Sequence, residues 1–110
     1  MNEHFIPVTD TAAVDQLVER SHTAPVLVFK HDPHCTISKA AHRQLAQLAA
    51  DVPTVDVAHD KAIASNITDR TGIKHESPQV ILFRNGQAVW SASHYDITAD
   101  AVTEASQEHA

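Results

Sequence analysis

The fold class predicted by this sequence is an α/β domain with a mixed central β-sheet flanked by helices, and three observations predict it. Strand-like and helical patterns alternate along almost the whole chain. Val26-Leu27-Val28-Phe29, ending in Lys30, is an apolar run rich in β-branched and aromatic types, as a strand covered on both faces requires. Two strand-like segments then flank Asn85-Gly86, a dipeptide suited to the two positive φ values of a type I′ hairpin turn. A strand–helix–strand unit followed by a hairpin gives a sheet with parallel and antiparallel pairs.

The elements follow in order. Thr9-Asp10-Thr11 offers N-cap oxygens, and Val14, Leu17 and Val18 share one helical face, which predicts a helix over about 10–21. Pro25 opens the central strand. A polar loop, His31-Asp32-Pro33-His34, leads to a second helix over about 35–50, with Ile37, Ala41, Leu45 and Leu48 as its apolar stripe. Pro53 precedes a strand, Val55-Asp56-Val57-Ala58. A third helix over about 60–70 carries Ile63 and Ile67, and Gly72 stands where a C′ residue belongs. After the hairpin, Thr98 caps a last helix with Ala101, Val102 and Ala105 facing inward.

At 110 residues the chain, 1–110, is expected to form a single domain. A net charge of −6, with only 8 Lys and Arg scattered along the sequence, argues against a nucleic-acid partner. Neither a secretory signal nor an apolar stretch near the roughly 20 residues of a bilayer span is present, so no membrane association is expected. One cysteine excludes an internal disulfide and makes the cytoplasm the expected compartment.

That cysteine, Cys35, falls where the central strand hands over to a helix. Ligands of open α/β sheets bind outside the carboxyl ends of the strands. A helix N-terminus adds unpaired N–H groups and partial positive charge. Both favour thiolate over thiol, and His34 adds positive charge when protonated. Ser38, three residues on, is within first-turn reach of the sulfur, although a plain helix N-terminal role suits it equally. Ser77-Pro78 stands before the hairpin's first strand, where a residue that cannot donate to the ladder belongs.

The order of strand, Cys35-Thr36-Ile37-Ser38, helix, then a residue and a proline before a hairpin resembles the thioredoxin superfamily. Phe29-Lys30-His31 leading to that motif, with 71–80 (Thr71 through Ser77-Pro78 to Val80) and 89–98 (Val89-Trp90 to Thr98), resembles the monothiol bacilliredoxins over nearly the whole chain. The resemblance implies a thioredoxin-like fold and a thiol–disulfide oxidoreductase that removes bacillithiol from mixed disulfides with protein cysteines. It implies Cys35 as the attacking cysteine, Ser38 as the serine of Cys-x-x-Ser, and Pro78 as a cis-proline beside the site. His34, Ser77 and Pro78 are then the thiol-binding residues. No tightly bound cofactor is implied; bacillithiol is the thiol co-substrate, bacillithiolated client proteins are the partners, and bacillithiol or a partner redoxin is the reductant. Thr36 departs from the Cys-Pro-Ile-Ser pattern of that family. It restores an N–H that proline lacks and adds a hydroxyl, which implies altered reactivity with function kept.

Other readings of the same residues are plainer. Free cysteines are often buried structural residues. His31, His34 and Cys35, with His75, approximate a zinc or iron ligand set, but structural zinc sites show tighter paired spacings and no metal is expected. A cluster shared across a dimer would need one external thiol per chain. His94-Tyr95-Asp96 reads as a turn before the last helix, and Trp90 as a packing residue of the hairpin. A non-catalytic adaptor and a thiol-based redox sensor are the alternatives to an enzyme.

Overall fold

The computed structural model describes residues 4–110. In chain order it holds β1 (Phe5–Pro7), α1 (Thr11–Arg20), β2 (Val26–His31), α2 (Thr36–Leu45), β3 (Val52–Asp56), α3 (Lys61–Thr71), β4 (Gln79–Arg84), β5 (Gln87–Ser93), a 3₁₀ turn (His94–Asp96) and α4 (Ala99–Glu108). The strands lie in the order β1-β3-β2-β4-β5. The β1, β3 and β2 pairs are parallel, whereas β2 with β4 and β4 with β5 are antiparallel.

Alternation along β2 sends successive side chains to opposite faces. Val26 and Val28 join Val14 and Leu17 of α1 and Ile63 and Ile67 of α3 in one core. Leu27 and Phe29 join Ala41 and Leu45 of α2 and Val102 and Ala105 of α4 in the other. Phe29 is fully buried, and truncating such a side chain to alanine costs about 3–5 kcal/mol.

Local chemistry sets the boundaries. Asp10 accepts the Ala13 N–H at the start of α1, and Thr98 the Ala101 N–H at the start of α4. Gly72 ends α3 in the left-handed region at φ 71, and Asn85 and Gly86 turn the hairpin at φ 56 and 80.

Three boundaries differ from the sequence expectation. β1 was not anticipated: three residues on a sheet edge are too short for alternation to register. α2 stops at Leu45 and not near Ala50, because Gln47 and Leu48 close tight turns onto Gln44 and Leu45 before the chain enters β3. β3 begins at Val52, with Pro53 inside it. Its ladder to β2 starts only at Thr54, one residue beyond the proline that has no N–H to give.

Candidate functional site

Register brings the predicted residues to one end of the sheet. Lys30 pairs with Gln79 across β2 and β4, so the carboxyl end of β2 lies beside the start of β4, which Pro78 precedes. The Ser77–Pro78 peptide bond is cis. The Pro78 carbonyl accepts the N–H of His94 at 3.0 Å, tying the turn before α4 to this point. His94 holds a positive φ of 54 there, and the neighbouring Tyr95 is 69 % exposed.

Cys35 is the N-cap of α2, extended at φ −100 and ψ 126, and partly open to solvent. Its N–H donates to Asp32 O at 3.1 Å, and its carbonyl accepts the Lys39 N–H at 3.0 Å. The side chain makes no capping hydrogen bond. Thr36 is exposed as the first residue of α2. His34 is exposed too. Its N–H donates to Asp32 Oδ1 at 2.9 Å, and its ring stands edge-on to His59 with centroids 6.0 Å apart.

Ser38 is fully buried. Its Oγ accepts the Asp32 N–H at 2.9 Å and lies 2.7 Å from His31 Nδ1. The hydrogen bond from Ser38 to the Cys35 sulfur, suggested by first-turn spacing, is not made. The hydroxyl is committed instead to the loop that carries the cysteine. Burial, and then the nearby His42, push the His31 pKa down to about 4, so the ring is neutral at pH 7. In its Nε2–H tautomer, Nδ1 accepts the single Ser38 proton. His31 belongs to an aromatic stack, 5.0 Å from Phe29 and 5.1 Å from His42, which itself lies 3.9 Å from Phe5.

Lys30 and Gln79 form a second buried polar group that sequence reasoning missed. Lys30 is fully buried and donates to Gln79 Oε1 at 2.8 Å, while Gln79 Nε2 donates to Lys74 O at 3.1 Å. Burial pushes the Lys30 pKa down to about 8, against the upward pull of Glu76. Neither residue signals the pair locally, because its two members lie 49 residues apart in the chain. Ser77 Oγ is buried without a hydrogen-bond partner, a position that costs about 1–3 kcal/mol if unmet. Among the described residues, no three or more His, Cys, Asp and Glu are grouped so as to hold a metal ion, and no helix is long and apolar enough to cross a membrane.

Solved structures place this architecture in the thioredoxin class. A protein with a thioredoxin fold is 30% identical, with a TM-score of 0.85 and 94% of each chain covered. Thioredoxin of Fasciola hepatica shares the fold at 14% identity and a TM-score of 0.75, over 96% of this chain and 100% of its own. Trxlp of Edwardsiella tarda is 25% identical, with a TM-score of 0.66, over 92% and 97%. Fold, cysteine and neighbours together give a thiol oxidoreductase. More narrowly, residues 6–102 match the monothiol bacilliredoxin BrxC family, and the chain belongs to it.

Proposed function

We propose that this protein removes bacillithiol from mixed disulfides with client-protein cysteines, using Cys35 as its one reacting sulfur. The observation that carries the reading is a lone, partly accessible cysteine capping α2, with buried Ser38 standing where a resolving cysteine would be. The Cys35 thiolate attacks the bacillithiol sulfur of the client adduct in line. The old S–S bond breaks, the client leaves as a thiolate that takes up a proton, and bacillithiol remains disulfide-bonded to Cys35. With one cysteine in the chain, a second thiol must finish the cycle. Bacillithiol or a partner redoxin attacks the adduct and restores the Cys35 thiolate, and the departing bacillithiol leaves oxidised within the new disulfide.

The first N–H groups of α2, from Thr36 to Ser38, have no acceptor within the helix; none is bonded to the Cys35 side chain in the structure, and in this reading they turn to the sulfur when it carries charge. Thr36 adds one that a proline would lack. His34 and the backbone at Ser77–Pro78 position the adduct. No bound cofactor takes part, bacillithiol being a co-substrate. The cytoplasm, where a single thiol stays reduced, is the setting.

The test is release of bacillithiol from a bacillithiolated protein, followed by mass spectrometry with free bacillithiol as reductant. Wild-type protein is expected to release it through an intermediate one bacillithiol heavier at Cys35, and Cys35→Ser to release none. Continued turnover by Cys35→Ser would overturn the proposal.

A further inference from the structure

On the α3 side of the sheet, against the turn that carries Cys35, lies a cavity of about 610 Å³. That volume is within the ~300–1,000 Å³ of small-molecule sites. Its polar lining is Asp32, Lys61, Ser65, Thr68, His75 and Ser77, over an apolar floor that includes Val57 and Ala64. α3 presents Lys61, Ala64, Ser65 and Thr68 along one side, the i, i+3, i+4, i+7 spacing of a single helical face.

Two features of this lining ask for a ligand. Ser77 Oγ is buried and has no hydrogen-bond partner within the protein. Buried hydroxyls are satisfied in nearly all native structures, so a partner from outside the chain fits this atom. Lys61 is exposed and, among the described residues, forms no ion pair with a carboxylate. Burial, and then the nearby Lys30 cation, lower the His75 pKa against the upward pull of Glu76. The single carboxylate of the lining, Asp32, adjoins the reacting residue: its carbonyl accepts the Cys35 N–H. One oxygen of its carboxylate accepts the His34 N–H, so Asp32 sets a negative charge beside the turn that carries the sulfur.

We infer that this cavity holds the hydroxyl- and carboxylate-bearing end of the small thiol that exchanges with Cys35. The inference rests on the proposed function for the identity of that thiol. Lys61 receives the carboxylate, and Ser65 and Ser77 bond its oxygens and hydroxyls. The same residues then set which low-molecular-weight thiol is accepted, since a thiol lacking those groups leaves Ser77 unpaired.

The experiment measures exchange rate constants of the full chain with bacillithiol disulfide, glutathione disulfide and cystamine, whose ends carry neither hydroxyl nor carboxylate. Wild-type protein is expected to favour bacillithiol disulfide over cystamine. Lys61→Gln lowers that ratio by about tenfold, the worth of one hydrogen bond to a charged group. Ser65→Ala lowers it less, and Lys61→Arg keeps it. An unchanged ratio in Lys61→Gln overturns the cavity assignment; if the wild type meanwhile releases bacillithiol from client protein, the proposed function stands without it. If instead the wild type ignores bacillithiol disulfide while Lys61→Gln lowers the ratio for glutathione disulfide over cystamine, the bacillithiol reading falls and the cavity assignment holds.

Discussion

Lys30 and His31 are neighbours at the end of β2, yet they face opposite cores and meet burial in different ways. Lys30 enters the α1/α3 side and keeps an ordinary donor role, donating an N–H to Gln79 Oε1 on the adjacent strand. His31 enters the α2/α4 side among Phe29 and His42, and burial keeps it neutral. The Lys30 group braces β2 against β4 and reaches the loop before Pro78 through Lys74 O. The His31 group braces the Asp32 turn against α2 through Ser38. One central strand thus fastens both walls of the site, the proline side by a cation and the cysteine side by a neutral ring. The two fastenings differ in what breaking them leaves behind: a stranded ammonium in one case, a stranded N–H in the other.

That difference orders the expected losses. Gln79→Leu removes the acceptor of a buried ammonium and is expected to cost about 2–3 kcal/mol, the upper range for hydrogen bonds to charged groups. Ser38→Ala strands the Asp32 N–H and the His31 ring, neutral groups with a smaller loss of about 1–2 kcal/mol. Urea unfolding of each variant measures both. Equal losses would erase the distinction between the two walls.

How far these walls were legible in the sequence follows from the range of each interaction. Asp10, Gly72, Asn85-Gly86 and Thr98 act within a few residues of themselves, and each occupies the cap or turn its chemistry suggests. The position of Cys35 at a strand-to-helix junction was likewise readable, because the apolar run before it and the stripe after it are both local. Lys30 was not readable as a core residue. A lysine closing an apolar run looks like a strand end turning to solvent, and its acceptor lies 49 residues away on β4. Ser38 misled for a related reason. Helical spacing puts it near Cys35, but the loop folds back to claim its hydroxyl, and no spacing rule encodes that return. β1 escaped because its pairing with β3 is made by backbone at a register that three residues cannot announce.

Titration separates the two walls further. The unfolded chain holds the His31 proton up to about pH 6.5 and the folded chain only up to about 4, so stability falls as pH drops through that window. For Lys30 the corresponding values are 10.5 unfolded and about 8 folded. Between them the unfolded state binds the extra proton, so stability rises with pH from about 8 to 10.5. Both contributions run in the same direction, in windows that do not overlap. Unfolding free energies across pH are expected to keep a shallower acid slope in His31→Phe, since His42 and His75 are also lowered by burial, and to lose the alkaline rise in Lys30→Met. A Lys30→Met protein that keeps the full alkaline rise would place that titration elsewhere.

The smallest net effect is expected from removing the Lys30 pair whole. Lys30→Met with Gln79→Leu replaces an ammonium and its acceptor by apolar groups of similar volume. Such exchanges of buried polar pairs are commonly neutral or stabilising, so the double variant should lie within about 1 kcal/mol of wild type, far above Gln79→Leu alone. The freed Lys74 carbonyl sits in an exposed loop residue and returns to water. A double variant as unstable as Gln79→Leu would mean that Gln79 acts through Lys74 O and the loop before Pro78. The proline wall would then be held by a neutral amide, and the contrast with His31 would reduce to one of distance along the chain.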